Sequence, residues 1–354
     1  MRSVRLAFVL FVAAAMGCAD DAEEATQAPA PVVADEAPST LAATGLYLDV
    51  AQKTLSPRVR AFTPAAALWS DGAEKERWID LPDGARIDTA DADAWRFPVG
   101  TKLWKEFRVG GARTETRFSW KVRDDRWLFA SYVWSEDGAA ATRGEGTTLV
   151  RGGTTVHVPT TSECNDCHKG RRDRVLGFDA IGLGLDGASG LGPLVAEGRF
   201  SLSPSPLAIP DDGTGKAAPA LAWLHANCGT SCHNENANAT GYPIGLRLRL
   251  RAAELGGPSA TWQSVASTIN VRAKNEDATR IVPGDPDASL LVQRFAALGA
   301  LRMPPIGSDV VDAEGVAKVR AWISALPHPT PPPPETPPPP ETPPDPPADP
   351  PPAE

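Results

Sequence analysis

The sequence predicts a multi-domain α+β chain: an antiparallel β-sandwich-like domain followed by a mainly helical one. Two observations carry this. Seven of the ten tryptophans fall between Trp69 and Trp134, in a stretch where apolar and polar residues alternate with the period of a strand. Beyond residue 205 the apolar spacing changes to that of a helix, with helix-start and helix-stop residues at its edges.

Both flanks of the 354-residue chain lack the residues to build a core. The opening MRSVRLAFVLFVAAAMGCAD has Arg2 and Arg5, an apolar run over 6–15, and Gly17 before Cys18. That is the pattern of an export signal, residues 1–18, too short to span a bilayer. Cys18 after small residues resembles a lipobox, in which the cysteine is lipidated; cleavage after Ala19 is the rival reading. Residues 19–45 read as an acidic disordered linker, and 327–354 as a disordered Pro-rich tail, stiff and extended. The expectation is an exported protein of the cell envelope, facing the periplasm or the cell surface, its membrane contact a lipid anchor alone. Six acidic residues over 19–40 and five from Pro327 onward carry the acidity, leaving 41–326 with no net charge. No basic stripe points to nucleic acid.

The β domain is expected over 46–160. TETRFSWKV sets Thr116, Phe118 and Trp120 against Arg117, Ser119 and Lys121, and WLFASYVW follows the charged turn VRDDR, which predicts a hairpin. LPDGARI supplies a turn at Asp83 and Gly84, and FPVGTKLWKEFRV a further short strand. A segment over 161–204 connects this domain to the helical one over 205–326. There PALAWLHANC predicts a first helix. SLLVQRFAALG predicts a second, with Gly299 as its C-cap. DAEGVAKVRAWISAL predicts a third, capped by Asp312 and stopped by Pro327. GLRLRLRA, 245–252, alternates leucine with arginine and predicts an inserted strand.

The chemistry lies in four cysteines. Cys164-Asn165-Asp166-Cys167-His168 is the c-type haem attachment pattern. Two thiols reach the two vinyl groups on one haem edge, and the adjacent His168 meets the iron. The alternative is a Cys164–Cys167 disulfide with His168 a bystander. HANCGTSCHN, 225–234, departs by one residue: three separate Cys228 from Cys232. Residues four apart still share a helix face, so the thiols can be presented together if the segment adjusts to aim His233, and Gly229 supplies freedom for that. Met303, in RMPPIG between two expected helices, is the one methionine left once the export signal is removed. A thioether opposite histidine is an axial pair of c-type cytochromes. The order helix, Cys-Cys-His, Met loop, terminal helix is that of a cytochrome c-like domain. The second haem is thus expected on Cys228 and Cys232 with His233 and Met303 on iron. The first, on Cys164 and Cys167 with His168, has no methionine to spare. His157, His225, His328, another group or an open position remain for its sixth site, with His157 first choice.

With these residues in view, the chain resembles a family of exported bacterial di-haem c-type cytochromes. The resemblance covers most of 62–326 and rests on LWSDGAEKERWIDLPDG, WRFPVGTKLWKEF, SECNDCHKG followed by RVLGF, LAWLHANCGTSCHN, and IVPGDPDASLL with RMPPIG. At the second site the family pattern resembles Leu-His-Ala-Asn-Cys-x-x-Cys-His-Asn. Leu224 to Asn227 match it, and one residue is inserted before Cys232. The resemblance implies two haem c groups and electron transfer to a redox partner in the cell envelope. Two other functions compete with an electron carrier: a peroxidase-like di-haem enzyme with an open first haem, and a haem-free, disulfide-bonded surface lipoprotein.

Overall fold

In the computed structural model, residues 34–185 and 191–328 are described. Cys18, the export signal, most of the acidic linker and nearly all of the Pro-rich tail lie outside them. Strands β1 (Tyr47–Asp49) and β2 (Thr54–Leu55) form a short ribbon. Then β3 (Arg60–Ala61), β4 (Glu74–Asp80), β5 (Lys102–Val109), β6 (Ala112–Arg123), β7 (Arg126–Trp134) and β8 (Ala141–Arg143) make one six-stranded sheet in sequence order, each neighbour antiparallel. A last ribbon pairs β9 (Thr148–Arg151) with β10 (Thr154–His157).

The expected hairpin is β6–β7, turning at Asp124 and Asp125. The expected turn at Asp83 and Gly84 is present, closed by Ala85 N–H to Pro82 O at 3.1 Å, with Gly84 at φ +69°. Cross-strand register explains the aromatic crowding. Trp78, Trp104, Phe118 and Ala130 stand opposite one another across four strands. They pack with Leu41, Leu46 and Tyr47 from the chain before the sheet. Burying Phe118, 1% exposed, contributes roughly 1.5–3 kcal/mol. The indole N–H groups of Trp104 and Trp134 donate to Thr44 and Thr116 hydroxyls, each at 3.0 Å, so both rings are buried with their polar atom satisfied. The opposite face packs Ile79, Leu103 and Phe129 against Phe178, Leu183 and Leu194. This is not two stacked sheets: each face of a single sheet is covered by loops and helices.

Helices α1 (Thr161–His168), α2 (Ala180–Gly184) and α3 (Gly192–Ala196) follow the sheet. After them come α4 (Ala217–Leu224), α5 (Gln263–Ala266), α6 (Leu290–Phe295) and α7 (Ala313–Ala325). Among these last four only α4 and α7 exceed six residues, so the region expected to be mainly helical is short helices joined by long irregular chain. Its core gathers Leu221, Leu224, Trp262, Val319, Trp322 and Ile323. Asp312 caps α7 by accepting from Gly315 N at 2.9 Å, and its other oxygen accepts from Trp223 Nε1 at 2.7 Å, tying α7 to α4. Helix α7 ends at Ala325, two residues before Pro327.

Two further expectations are corrected. Helix α6 ends at Phe295 with Ala296 as C-cap, and Gly299, at φ +75°, begins a short 3-10 turn instead. Residues 245–252 form no strand. Leu246, Leu248 and Leu250 are buried as alternation requires, but the backbone donors are taken by other partners: Leu248 N–H by His233 O at 2.7 Å, and Leu250 N–H by His225 Nδ1 at 3.0 Å. The described residues all belong to one compact unit.

Candidate functional site

Helix α1 begins with a capping box. Thr160 Oγ1 accepts from Glu163 N at 3.2 Å, and the Glu163 carboxylate accepts from Thr160 N at 2.8 Å. Cys164, Cys167 and His168 then occupy positions i, i+3 and i+4, one face of the helix. That face looks at the sheet, with the His168 ring 4.8 Å from Phe129. Two turns after the helix bring the chain back: Arg171 N–H bonds His168 O and Arg174 N–H bonds Arg171 O, each at 3.2 Å. Arg174, at φ +54°, thereby aims its carbonyl at the ring, 2.5 Å from His168 Nδ1. Only a protonated Nδ1 can donate there, which leaves Nε2 as the free lone pair. Burial lowers the His168 pKa to about 4, so the ring is neutral, as an iron-ligating imidazole must be. Burial also raises the Cys164 thiol to about 11 and pushes Cys167 up, so both thiols are protonated at neutral pH.

Cys164, Cys167 and His168 line a cavity of about 110 Å³, and a neighbouring one of about 260 Å³ shares Arg117, His157, Glu163, Ile306 and Gly307 with it. Each is below the roughly 300–1,000 Å³ of cofactor pockets, and the two lie on either side of that shared wall. His157 lies at the end of β10, with Nε2 3.2 Å from both Glu163 carboxylate oxygens.

At the second site the inserted residue is absorbed by the backbone. Helix α4 runs directly into a π-helical turn, His225–Gly229. Thr230 N–H bonds His225 O at 2.8 Å and His233 N–H bonds Cys228 O at 2.9 Å, each closing over five residues instead of four. In the regular pattern the histidine follows the first cysteine by four residues and one α-turn. Here it follows by five residues and one wider turn, which closes His233 N–H on Cys228 O, while Cys232 and His233 themselves lie in the turn that follows the π segment. Gly229 is needed where it stands: a Cβ on it would lie 2.4 Å from Arg249 N. The His233 ring packs on Gly241, where a Cβ would come within 2.6 Å of Nδ1. Burial, with Arg247 and Arg280 nearby, lowers the His233 pKa to about 4, and burial raises the Cys228 thiol to about 12. His233 Nδ1 is buried with no hydrogen-bond partner, unlike its counterpart in His168.

The two attachment segments touch. Ser231 Oγ donates to Cys167 O at 2.8 Å and lies 3.4 Å from Cys232 Sγ. Gly170 permits the approach, since a Cβ there would be 2.0 Å from Ser231 O. All four thiols are free.

The remaining candidates separate. Met303 is 39% exposed, with its N–H bonded to Arg294 O at 3.0 Å. The loop that follows it leans on the first site, where Ile306 and Gly307 line the His168 cavity. Asp71 holds this loop, accepting from Ser308 Oγ at 2.7 Å and from Asp309 N and Val310 N at 2.9 Å. Its neighbour Trp69 donates from N to Asn227 Oδ1 at 2.6 Å, so LWSDG joins the Met303 loop to the second attachment segment. His225 is 2% exposed, its Nδ1 occupied by Leu250 N–H. His328 lies against Gly284, at the far end of α7. Sequence reasoning missed Asp71, Arg174 and Ser231. LWSDG was visible as a motif, but its partners lie more than 150 residues away.

Each segment brings two free thiols and a neutral histidine close together, and the first also has a cavity against them and a partner for its Nδ1. Among the described residues, no group of three or more His, Cys, Asp or Glu is arranged for a metal ion, and no helix is long and apolar enough to cross a membrane. No protein-family model, curated protein or solved structure matches the chain.

Proposed function

We propose that the chain is an exported c-type cytochrome that carries electrons in the cell envelope. Two haem c groups are held, by Cys164, Cys167 and His168 and by Cys228, Cys232 and His233 within a cytochrome c-like domain. The observation that carries this reading is the π turn. It supports the irregular Cys-x-x-x-Cys-His segment as an attachment site, because the wider turn takes up the extra residue and brings His233 N–H back to Cys228 O. Bound haem supplies a one-electron iron couple. The protein's own part is to present two thiols and a neutral imidazole on one face and to fix His168 through Arg174 O. Met303 is the proposed sixth ligand with His233, His157 that with His168. Cys18 is the proposed lipid anchor, and the partner a redox protein of the envelope.

Intact mass and a pyridine-haemochrome assay on protein made with haem-attachment machinery test the reading. Two haems are expected, with two one-electron transitions on potentiometric titration; a colourless protein sinks it in favour of the disulfide-bonded lipoprotein. One further observation favours the peroxidase-like alternative: His157 and Glu163 form an acid–base pair in the His168 cavity. Steady peroxide turnover supports that alternative, and a low-spin six-coordinate spectrum for both haems excludes it.

A further inference from the structure

The sheet face over the first cavity carries a row of cations. Arg77 on β4 stands directly opposite Lys105 on β5, and Lys105 directly opposite Arg117 on β6. Like charges in directly opposed positions destabilise a sheet, so three in a row call for a compensating anion. The protein supplies it in part. Arg117 Nε bonds Glu115 Oε1 at 3.0 Å. Arg77 is 7% exposed, and the charged groups that act on Lys105 are dominated by cations, Arg77, Lys75 and Arg117. Burial and those cations hold the Lys105 pKa well below that of a free lysine. No acid or carbonyl of the described residues bonds Lys105 Nζ.

Of the acids lining the two cavities, Glu115 gives one oxygen to Arg117 and leaves the other, buried, without a partner, and the rest are engaged elsewhere. Glu163 is held by Thr160 and His157, Asp71 by the 308–310 loop, and Asp309 by Arg302. Lys105, Arg117 and Arg174 line the same cavity as Cys164, Cys167 and His168, and Arg174 is partly satisfied by Asn165 Oδ1 at 3.0 Å. The cationic wall and the attachment face therefore enclose one space, in which Arg117 has the Glu115 carboxylate and Lys105 has none. Haem brings two propionate carboxylates on the edge away from its vinyl groups.

We propose that Lys105 and Arg117 receive the propionates of the haem held by Cys164, Cys167 and His168. This rests on the haem reading of that site. Lys105 is then a positioning residue with an electrostatic effect: reduction of the iron adds one negative charge, and a nearby cation favours the reduced form.

The test uses the full chain, matured with haem, in the variants K105M, K105Q and K105R. Intact mass first establishes haem on Cys164 and Cys167; its absence from the wild-type protein ends the haem reading itself, separately from the propionate assignment. With haem present, K105M and K105Q are expected to keep both haems while one of the two potentiometric transitions moves to lower potential and the other stays. K105R is expected to restore it. Unmoved transitions in both neutral variants overturn the proposal. A second arm adds acetate or inorganic phosphate to the wild-type holoprotein. A haem spectral change that K105M abolishes shows a free anion on the row and also overturns it; no change is the expected result.

Discussion

Ser231 donates its hydroxyl to the main-chain carbonyl of Cys167 at 2.8 Å, one residue before Cys232 and 64 residues after its acceptor. The contact between the two motifs thus falls within the three residues that separate Cys228 from Cys232. S231A should lower stability by about 1 kcal/mol, the net worth of one hydrogen bond, measured by urea denaturation. An unchanged denaturation midpoint would show that the bond is replaced by water.

The π turn leads to a sharper expectation. A methyl group at Gly229 would meet backbone atoms of Leu248 and Arg249 at 2.4–2.5 Å, which no side-chain rotation relieves. G229A should cost roughly 1–3 kcal/mol and lower haem occupancy at Cys228 and Cys232 while the first site remains loaded. Peptide mass mapping distinguishes the two sites.

Asp71 organises the loop after Met303 by accepting from three donors in 308–310. Charge-assisted bonds of this kind contribute more than neutral ones, so D71A should cost about 2 kcal/mol and free the loop. Limited proteolysis should then cut within 302–310 at least tenfold faster than in the parent chain, and a rate equal to the parent's would disprove the anchoring role.

His225 should make stability depend on pH in the haem-free chain. Burial is the main cause that lowers its pKa to about 4 in the folded protein, with Asp179 opposing and Arg249 and Arg171 assisting. The ordinary value is about 6.5. Between these values the unfolded chain binds the proton and the folded one does not. The contribution is therefore complete above about pH 6.5 and is lost as the pH falls toward 4, on the order of 3 kcal/mol in all. Glutamine can still accept from Leu250 N–H but does not titrate, so H225Q should flatten this part of the profile. Urea denaturation at pH 4, 5, 6 and 7 measures it, and parallel profiles for the two proteins would rule the residue out.

What the sequence determined by itself was local. The Asp83–Gly84 turn, the β6–β7 hairpin, the Asp312 cap and the shared face of Cys164, Cys167 and His168 each depend on residues within a few positions of one another. Their physics is complete over one turn of chain. The rest was decided in three dimensions. Alternation in 245–252 correctly placed its leucines inside, yet His233 O and His225 Nδ1 captured the donors a strand would have paired. The row Arg77, Lys105, Arg117 exists only through the register of three strands, and the Ser231–Cys167 and Asp71–Val310 bonds join residues 64 and 239 positions apart. Backbone hydrogen-bond groups must be satisfied by whichever partner the packed chain brings near. At a distance that partner is chosen by the tertiary structure, and here that choice fixed the surroundings of both attachment segments.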